Sequence, residues 1–110
     1  MARSKSTFTR ENAIFLDLLR KEREEAGVTQ VELARRLKQT QSYVSRCERG
    51  ERRLDLVETR WYCEGIGLPL TKFAEKFEAA ILSAVEAKRA VRRRMSPTRR
   101  KNEPRTATDS

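Results

Sequence analysis

The side chains best suited to molecular recognition lie between a threonine at position 40 and a glycine at position 50. Glutamine can bond adenine at two points, and arginine can bond guanine in the same way. Serine and tyrosine hydroxyls can reach phosphates or base edges. If this segment is helical, one polar face could read the edges of DNA base pairs with Gln41, Ser42, Tyr43, Ser45 and Arg46.

Two short helices joined by a tight turn are predicted to position these side chains. Thr29 is followed three residues later by Glu32, which is the spacing of a capping box. Thr40 can cap the second helix, at about 41–49, and Gly50 fits the left-handed residue that ends it. The layout predicts a helix-turn-helix, although an ordinary helical hairpin with a solvated face has the same spacing. The inward positions would be Leu33, Ala34, Leu37, Val44 and Cys47.

Three further helices complete an all-α prediction. The first starts near Glu11 or Asn12, and Gly27 ends it. The fourth begins after a second capping box, formed by Asp55 and Glu58, and stops at Gly67. The inner stripe of the first helix would be Phe15, Leu16, Leu19 and Ala26, and that of the fourth would be Leu56, Thr59, Tyr62, Cys63 and Ile66.

The last predicted helix is long, because nothing breaks it from about Leu70 to Met95. Its apolar stripe is longer than one small domain can cover, which favours a dimer interface over a purely internal role. The alternative is that the stripe only completes the core, with Phe73 and Phe77 covering Val57 and Trp61. The interface would comprise Trp61, Phe77, Ile81, Ala84 and Val85.

The sequence resembles the lambda-repressor-like, Cro/Xre-type helix-turn-helix proteins of bacteria and their phages. The resemblance runs from about Leu19 to Leu70 and rests on several separate elements. These are Arg23, the Thr29-Gln30-x-Glu32-Leu33-Ala34 segment, the Ser45-Arg46-Cys47-Glu48-Arg49-Gly50 segment and Ile66-Gly67-Leu68. It implies a compact bundle of about five helices that binds operator DNA, usually as a dimer.

The resemblance also implies roles for individual residues. Gln30 would bond a phosphate at the start of its helix, and Arg23 would form an internal ion pair with Glu48. Base reading would fall on Gln41, Ser42 and Arg46, with Tyr43 and Ser45 nearby.

The sequence departs from the family pattern at the turn and on the fourth helix. Lys38 stands where the turn usually has glycine, which implies strain or another turn geometry. Thr59 and Arg60 replace frequent leucines, and Trp61 replaces a common polar residue. These changes leave the expected fold intact and put the partner surface of the fourth helix in question.

Positive charge is unevenly distributed along the 110 residues. The net charge is +9, of which residues 88–110 carry +7 and the first 87 residues carry +2. Within the latter, arginines cluster around the motif and the following loop, where they could contact phosphates or simply keep the loop soluble. The candidate DNA-contacting residues are Gln30, Thr40, Gln41, Ser42, Tyr43, Ser45, Arg46, Arg49, Arg52 and Arg53.

Composition argues against enzymatic and membrane functions. The sequence has no histidine, which removes histidine general bases, and its four glycines form no phosphate loop. Two distant cysteines make no zinc site, and their expected role is as small buried hydrophobes rather than a disulfide or redox switch. We therefore expect a cytoplasmic, nucleoid-associated non-enzyme without cofactor or metal, since the start is polar and no apolar run reaches membrane length.

The predicted organisation has three parts: a flexible arm over 1–11, a helix-turn-helix domain over 12–87, and a basic helix end with a disordered tail over 88–110. The predicted function is a sequence-specific regulator, most simply a repressor, that binds palindromic double-stranded DNA as a homodimer. Alternatives are an antitoxin or a partner-binding module of a toxin-antitoxin or restriction-modification operon, with a protein partner on the C-terminal helix. For that basic helix we rank membrane-surface binding low.

Overall fold

The computed structural model describes residues 5–95 of the chain, with side-chain environments for residues 8–93. Its described part holds the expected five helices. In chain order they are α1 (Lys5–Glu25), α2 (Gln30–Leu37), α3 (Gln41–Glu48), α4 (Leu56–Gly65) and α5 (Leu70–Met95). The predicted tail after Met95 and the first residues of the predicted arm lie outside the described residues.

The structure divides into two compact units, which part between Ala79 and Ala80. The first unit contains α1 to α4 and the beginning of α5, and the described part of the second unit is the remainder of α5. The predicted boundary before residue 88 is therefore not where these units part. The extent of α5 agrees with the expected span from Leu70 to Met95.

The start of α1 differs from the prediction. The helix begins at Lys5, inside the segment that was expected to be an arm. This segment lacks the apolar stripe that would predict a helix. In the structure, however, the Phe8 ring lies beside the guanidinium group of Arg53, with 5.0 Å between the ring centroid and the guanidinium carbon. This contact comes from a residue distant in sequence, which explains why local periodicity placed the start too late.

The core of the first unit is formed by side chains from all five helices and the loop after α1. Leu19, Leu33 and Cys63 are completely buried, and Val44 is nearly so. The inward positions predicted for the helix-turn-helix are confirmed, with Leu37 half-buried at its edge. The buried cluster is Leu19, Val28, Leu33, Ala34, Val44, Tyr62, Cys63, Ile66 and Phe73.

Three expected contacts of the core are wrong. Leu56 is 72% exposed, because Leu54 on the other side of the helix cap packs against the core instead. Ala26 is exposed, because α1 has already ended. Phe73 and Phe77 were expected to cover Val57 and Trp61, but Val57 and Trp61 are more than half exposed. The rings of the two phenylalanines contact the ring of Phe15 on α1 edge to face, with centroid distances of 5.8 and 6.0 Å.

Threonine side chains cap the starts of α2 and α3. Thr29 and Thr40 cap the two helices, each accepting a 3.0 Å hydrogen bond from the backbone N–H three residues on. The predicted box at Thr29 is only half present, since the Glu32 carboxylate binds Arg35 and Arg36. The box at Asp55 and Glu58 is complete, as predicted.

The turn between α2 and α3 closes on a left-handed residue that is not glycine. Lys38 has φ 58° and ψ 41°, and its N–H donates to the carbonyl of Arg35. The N–H of Gln39 donates to the carbonyl of Ala34 at 2.9 Å, so the turn keeps the usual hydrogen bonds of this helix ending. The sequence-based expectation of a strained lysine is confirmed, and the turn retains its geometry at the cost of that strain.

A glycine also sets the distance between α2 and α4. A Cβ atom added at Gly65 would lie 2.5 Å from Cδ1 of Leu33, so a larger residue would require the Leu33 side chain to move. The Gly65 carbonyl accepts a 2.6 Å hydrogen bond from Arg36. The close approach therefore holds the helix-turn-helix against the rest of the bundle.

Replacing Lys38 by glycine should stabilise the protein by about 0.5–1 kcal/mol, because glycine adopts positive φ without the steric cost. Urea denaturation monitored by circular dichroism measures the change. Gln39→Gly is the matched control, because positive φ among non-glycine residues of the described chain is confined to Lys38. The control should lower the free energy of unfolding, and a loss of stability in both variants would contradict the strain argument.

Candidate nucleic-acid interface

The orientation of α3 follows from its two buried side chains. Val44 and Cys47 face the core, and this fixes the rotation of the helix about its axis. Ser42 and Arg46 are consequently exposed on the opposite side, and Gln41 is exposed at the start of the helix, as predicted. Gly50, with φ 81°, ends this surface, and an added Cβ there would lie 2.9 Å from Leu16.

A buried ion pair joins α1 to the end of α3. Nε of Arg23 donates to Oε2 of Glu48 at 2.6 Å, and its NH2 group donates to Oε1 at 3.0 Å. The two side chains are only 9% and 4% exposed. The pair that the family resemblance implied is thus present, with the bidentate geometry that gives arginine–carboxylate pairs their direction.

The Glu48 carboxylate has two further partners that sequence reasoning missed. The hydroxyl of Tyr62 on α4 donates to Oε2, and the amide of Gln30 on α2 donates to Oε1 at 2.9 Å. Burial raises the pKa of this carboxyl, but the hydrogen bonds from Arg23, Tyr62 and Gln30 outweigh burial, and the net pKa is lowered. Glu48 is therefore a buried anion that ties α1, α2 and α4 to α3. Tyr62 was predicted only as an inward residue, because nothing in its spacing indicates a polar partner.

A chain of hydrogen bonds runs from this buried anion to the exposed face of α3. Gln30 donates to Glu48 through Nε2, and Oε1 of Gln30 accepts a 2.8 Å bond from Nε2 of Gln41. A carboxylate can only accept, so Gln30 must turn its N–H toward Glu48 and its oxygen toward Gln41. Gln41 is then left with its own oxygen and its second N–H. This pair of groups matches the donor and acceptor that adenine presents in the major groove.

The arginines after α3 differ in how they are held. Arg49 donates to both oxygens of Glu51, at 3.0 and 3.1 Å, and also to the hydroxyl of Ser45. Arg52 donates to Glu58 at 2.7 Å and lies over a tyrosine ring. Both predicted phosphate contacts are therefore already paired with carboxylates inside the chain.

Arg46 and Arg53 are the freer arginines of this surface. In the described part of the chain Arg46 makes no ion pair, and its side chain is exposed. Arg53 is exposed as well and rests on the ring of Phe8. These two positions retain the capacity to donate to bases or phosphates.

Tyr43 is not on the outer face, contrary to the expectation from spacing. It is half-buried against the core, beneath Arg52, with 5.2 Å between the guanidinium carbon and the ring centroid. Burial raises the pKa of its hydroxyl to about 12, so the group stays protonated at physiological pH. The position was misjudged because Val44 and Cys47 alone were taken to mark the inner face of α3.

The residues predicted for the dimer interface fall in both units. In the first unit Trp61 is 52% exposed, whereas Phe77 is half-buried by its contact with Phe15. In the second unit Ile81 is half-buried, and Ala84 and Val85 are exposed. Trp61 is thus the member of the set in the first unit that is available to a partner.

The two cysteines are free and buried, as expected for small apolar side chains. Burial raises the pKa of both thiols, that of Cys63 to about 11. Both are therefore protonated and unreactive near neutral pH. The described residues contain no cluster of ligands for a metal ion, and no helix among them is long and apolar enough to cross a membrane.

Replacing Arg23 by methionine should lower the free energy of unfolding by about 3–5 kcal/mol, because Glu48 would lose its counter-charge while buried.

The lowered pKa of Glu48 also makes wild-type stability pH-dependent. The stabilisation is complete above the unfolded-state pKa of the carboxyl and is lost as pH falls through the lower folded-state value. Urea titrations between pH 7 and pH 3 measure both effects.

Glu48→Gln is the control for this pH dependence, since it removes the titrating group but keeps a side chain of the same shape. Its stability should fall less steeply with acidification than that of the wild type. An equal pH dependence in the two proteins would contradict the assigned role of Glu48.

Comparisons with known proteins agree with this geometry. Residues 14–75 match the family model described as a helix-turn-helix domain. An XRE-family-like protein from Pseudomonas syringae pv. tomato str. DC3000 is 47% identical, with a TM-score of 0.61 over 69% of this chain and 96% of that one. Among curated proteins, no match is found.

A second similarity is to the restriction-modification controller protein C.Esp1396I. A point mutant of that protein is 27% identical to this chain, with a TM-score of 0.61 over 64% of this chain and 93% of its own. The wild-type controller gives 27% identity and a TM-score of 0.60, covering 64% of this chain and 92% of its own. The matched region contains the helix-turn-helix, its caps and the Arg23–Glu48 pair. The chain therefore belongs to the Xre-type family of helix-turn-helix DNA-binding transcription regulators.

Proposed function

We propose that this protein binds a specific palindromic operator as a homodimer, with α3 in the major groove, and regulates transcription from it, most simply as a repressor. Base reading falls to Gln41, Ser42 and Arg46, which are exposed on one face of α3. The protein acts in the cytoplasm, without cofactor or catalytic step. Family membership supports DNA binding, and the remaining detail is our proposal.

The observation that carries the proposal is the hydrogen-bonded chain from Glu48 through Gln30 to Gln41. An exposed glutamine on an ordinary solvated helix would lose side-chain entropy if it were held in one orientation. Here the orientation of Gln41 is set from a buried anion before any ligand arrives. Preorganised donors and acceptors are what a side chain needs to discriminate between bases.

The same chain changes the proposed role of Gln30. Its Nε2 atom and its oxygen are already engaged, so a bond to a DNA phosphate would use the second hydrogen of the amide. Gln30 would then connect a phosphate, which fixes the register of the protein on DNA, to Gln41, which reads a base.

A second candidate function is control of a restriction-modification operon. The similarity to the restriction-modification controller protein C.Esp1396I favours it. Both functions use the same DNA-binding surface, so the identity of the bound genes separates them.

Selection of bound duplexes from sheared genomic DNA tests the proposal. The full chain is incubated with the fragments at about 150 mM salt, where screening weakens long-range electrostatic binding. An enriched inverted repeat with half-sites about 10 base pairs apart is expected for a dimer of this kind. Enrichment next to restriction and modification genes would identify the second candidate. Binding without any enriched sequence would contradict the proposal.

Arg46→Ala should weaken binding to the selected operator by about 1–3 kcal/mol and leave binding to a scrambled duplex unchanged, because a base contact carries sequence information. Fluorescence anisotropy with both duplexes measures the ratio. Arg20→Ala, which removes an exposed arginine from α1, is the matched control and should change neither affinity. An equal loss on both duplexes would instead make Arg46 a phosphate contact.

Trp61→Asp should shift the protein from dimer to monomer, because it places a charge where we expect an apolar contact between subunits. Sedimentation equilibrium measures the change, and circular dichroism checks the fold. Val31→Asp is the control, since Val31 is also an exposed apolar side chain, on α2. If the Trp61 variant remains a folded dimer, the proposed interface is refuted at this residue.

A further inference from the structure

Most positive charges on the first unit are matched by nearby carboxylates. This holds for the loop after α3, where Glu51 and Glu58 bind Arg49 and Arg52. It also holds away from the motif, on α4 and at the start of α5, where Glu64 and Glu75 approach Arg60 and Lys72. Such pairing lowers the local positive potential, so that near the motif the exposed cations outside these ion pairs are Lys38, Arg46 and Arg53. The other paired cations are Arg20, Arg23, Arg35, Arg36 and Lys76.

The described part of the second unit has the opposite character. Lys88, Arg89, Arg92 and Arg93 are all exposed, and no ion pair joins any of them to another described residue. The segment 88–93 contains no acidic residue. Lys88 and Arg92 are four residues apart, as are Arg89 and Arg93, so like charges are neighbours on the helix surface. Adjacent like charges repel, and a polyanion bound along the helix would remove that repulsion.

The positions of the apolar side chains argue against a membrane as this polyanion. Helical spacing places Val85 on the same side as Lys88 and Arg89, which lie about one turn further along the helix. Leu82 lies on the same side as Arg89 and Arg93, which are about two and three turns further along. A helix that lies on a membrane instead carries its apolar side chains opposite a basic face. Leu82 and Val85 are exposed on the side of the helix that carries the cations, and among the large exposed apolar side chains described in this segment only Val91 lies on the opposite side.

The same spacing argues against a second copy of this segment. Pairing two such helices in parallel along the stripe that contains Ile81 and Val85 would bring Lys88 and Arg92 of both copies together. Duplex DNA, in contrast, carries one negative charge per about 1.7 Å of its axis and accepts a row of cations.

We propose that the cationic end of α5, formed by Lys88, Arg89, Arg92 and Arg93, binds DNA phosphates as a second contact outside the base-reading surface of α3. It supplies affinity that depends on salt and not on sequence, while α3 supplies the preference for the operator. The inference rests on the proposed function to the extent that the bound polyanion is double-stranded DNA.

The double variant R92Q/R93Q tests this contact. Dissociation constants are measured between 50 and 300 mM salt, for the selected operator and for a scrambled duplex of the same length. The slope of log affinity against log salt should decrease in magnitude by about 2 per bound subunit, which is about 4 for the proposed dimer, on both duplexes. The ratio of the two affinities should stay unchanged. R60Q/K72Q is the matched control, because it removes two exposed cations that are already paired.

Three results would overturn the inference. One is a slope for R92Q/R93Q equal to that of R60Q/K72Q, with helix content by circular dichroism unchanged. The second is a loss confined to the operator. The third is loss of binding to vesicles of phosphatidylserine and phosphatidylcholine with DNA binding intact, which would make a membrane the partner. If the slope for R92Q/R93Q equals the wild-type slope while the protein still prefers the operator, only this second contact is rejected. If the slope is lowered but the wild-type protein shows no preference for any sequence, only the proposed function is rejected.

Discussion

The structure depends on one buried anion, the carboxylate of Glu48. Removing a carboxylate from water is costly, and here hydrogen bonds from Arg23, Gln30 and Tyr62 offset that cost. Because these donors lie on α1, α2 and α4, a single requirement for satisfied hydrogen bonds fixes three helices around the end of α3. This arrangement therefore also sets the position of the exposed face of α3.

The same anion gives direction to the surface chemistry. Because the carboxylate can only accept hydrogen bonds, Gln30 directs its N–H toward Glu48 and its oxygen toward Gln41. Gln41 therefore presents a defined donor and acceptor to the solvent. The buried pair thereby orients a side chain on the exposed face of α3. If Gln41 reads a base as proposed, loss of Glu48 would disturb both stability and specificity.

Charge is organised differently in the two units. In the first unit, carboxylates neutralise many arginines near the motif, which leaves binding there to depend on geometry more than on net charge. In the second unit, exposed cations follow one another along α5 without acidic neighbours. The sequence alone shows that the excess positive charge lies at the C-terminal end. The ion pairs that neutralise Arg49 and Arg52 are visible only in the folded chain.

Local sequence determined the helices, because caps, glycine stops and apolar spacing act within a few residues. The threonine caps, the box at Asp55 and the full length of α5 could all be predicted in this way, whereas the sequence leaves the geometry of the turn at Lys38 open. Tertiary structure alone decided that Tyr43 packs inward, that Phe73 contacts Phe15, and that Tyr62 joins the ion pair. These outcomes depend on contacts between residues far apart in the chain, and periodicity within one helix carries no information about them.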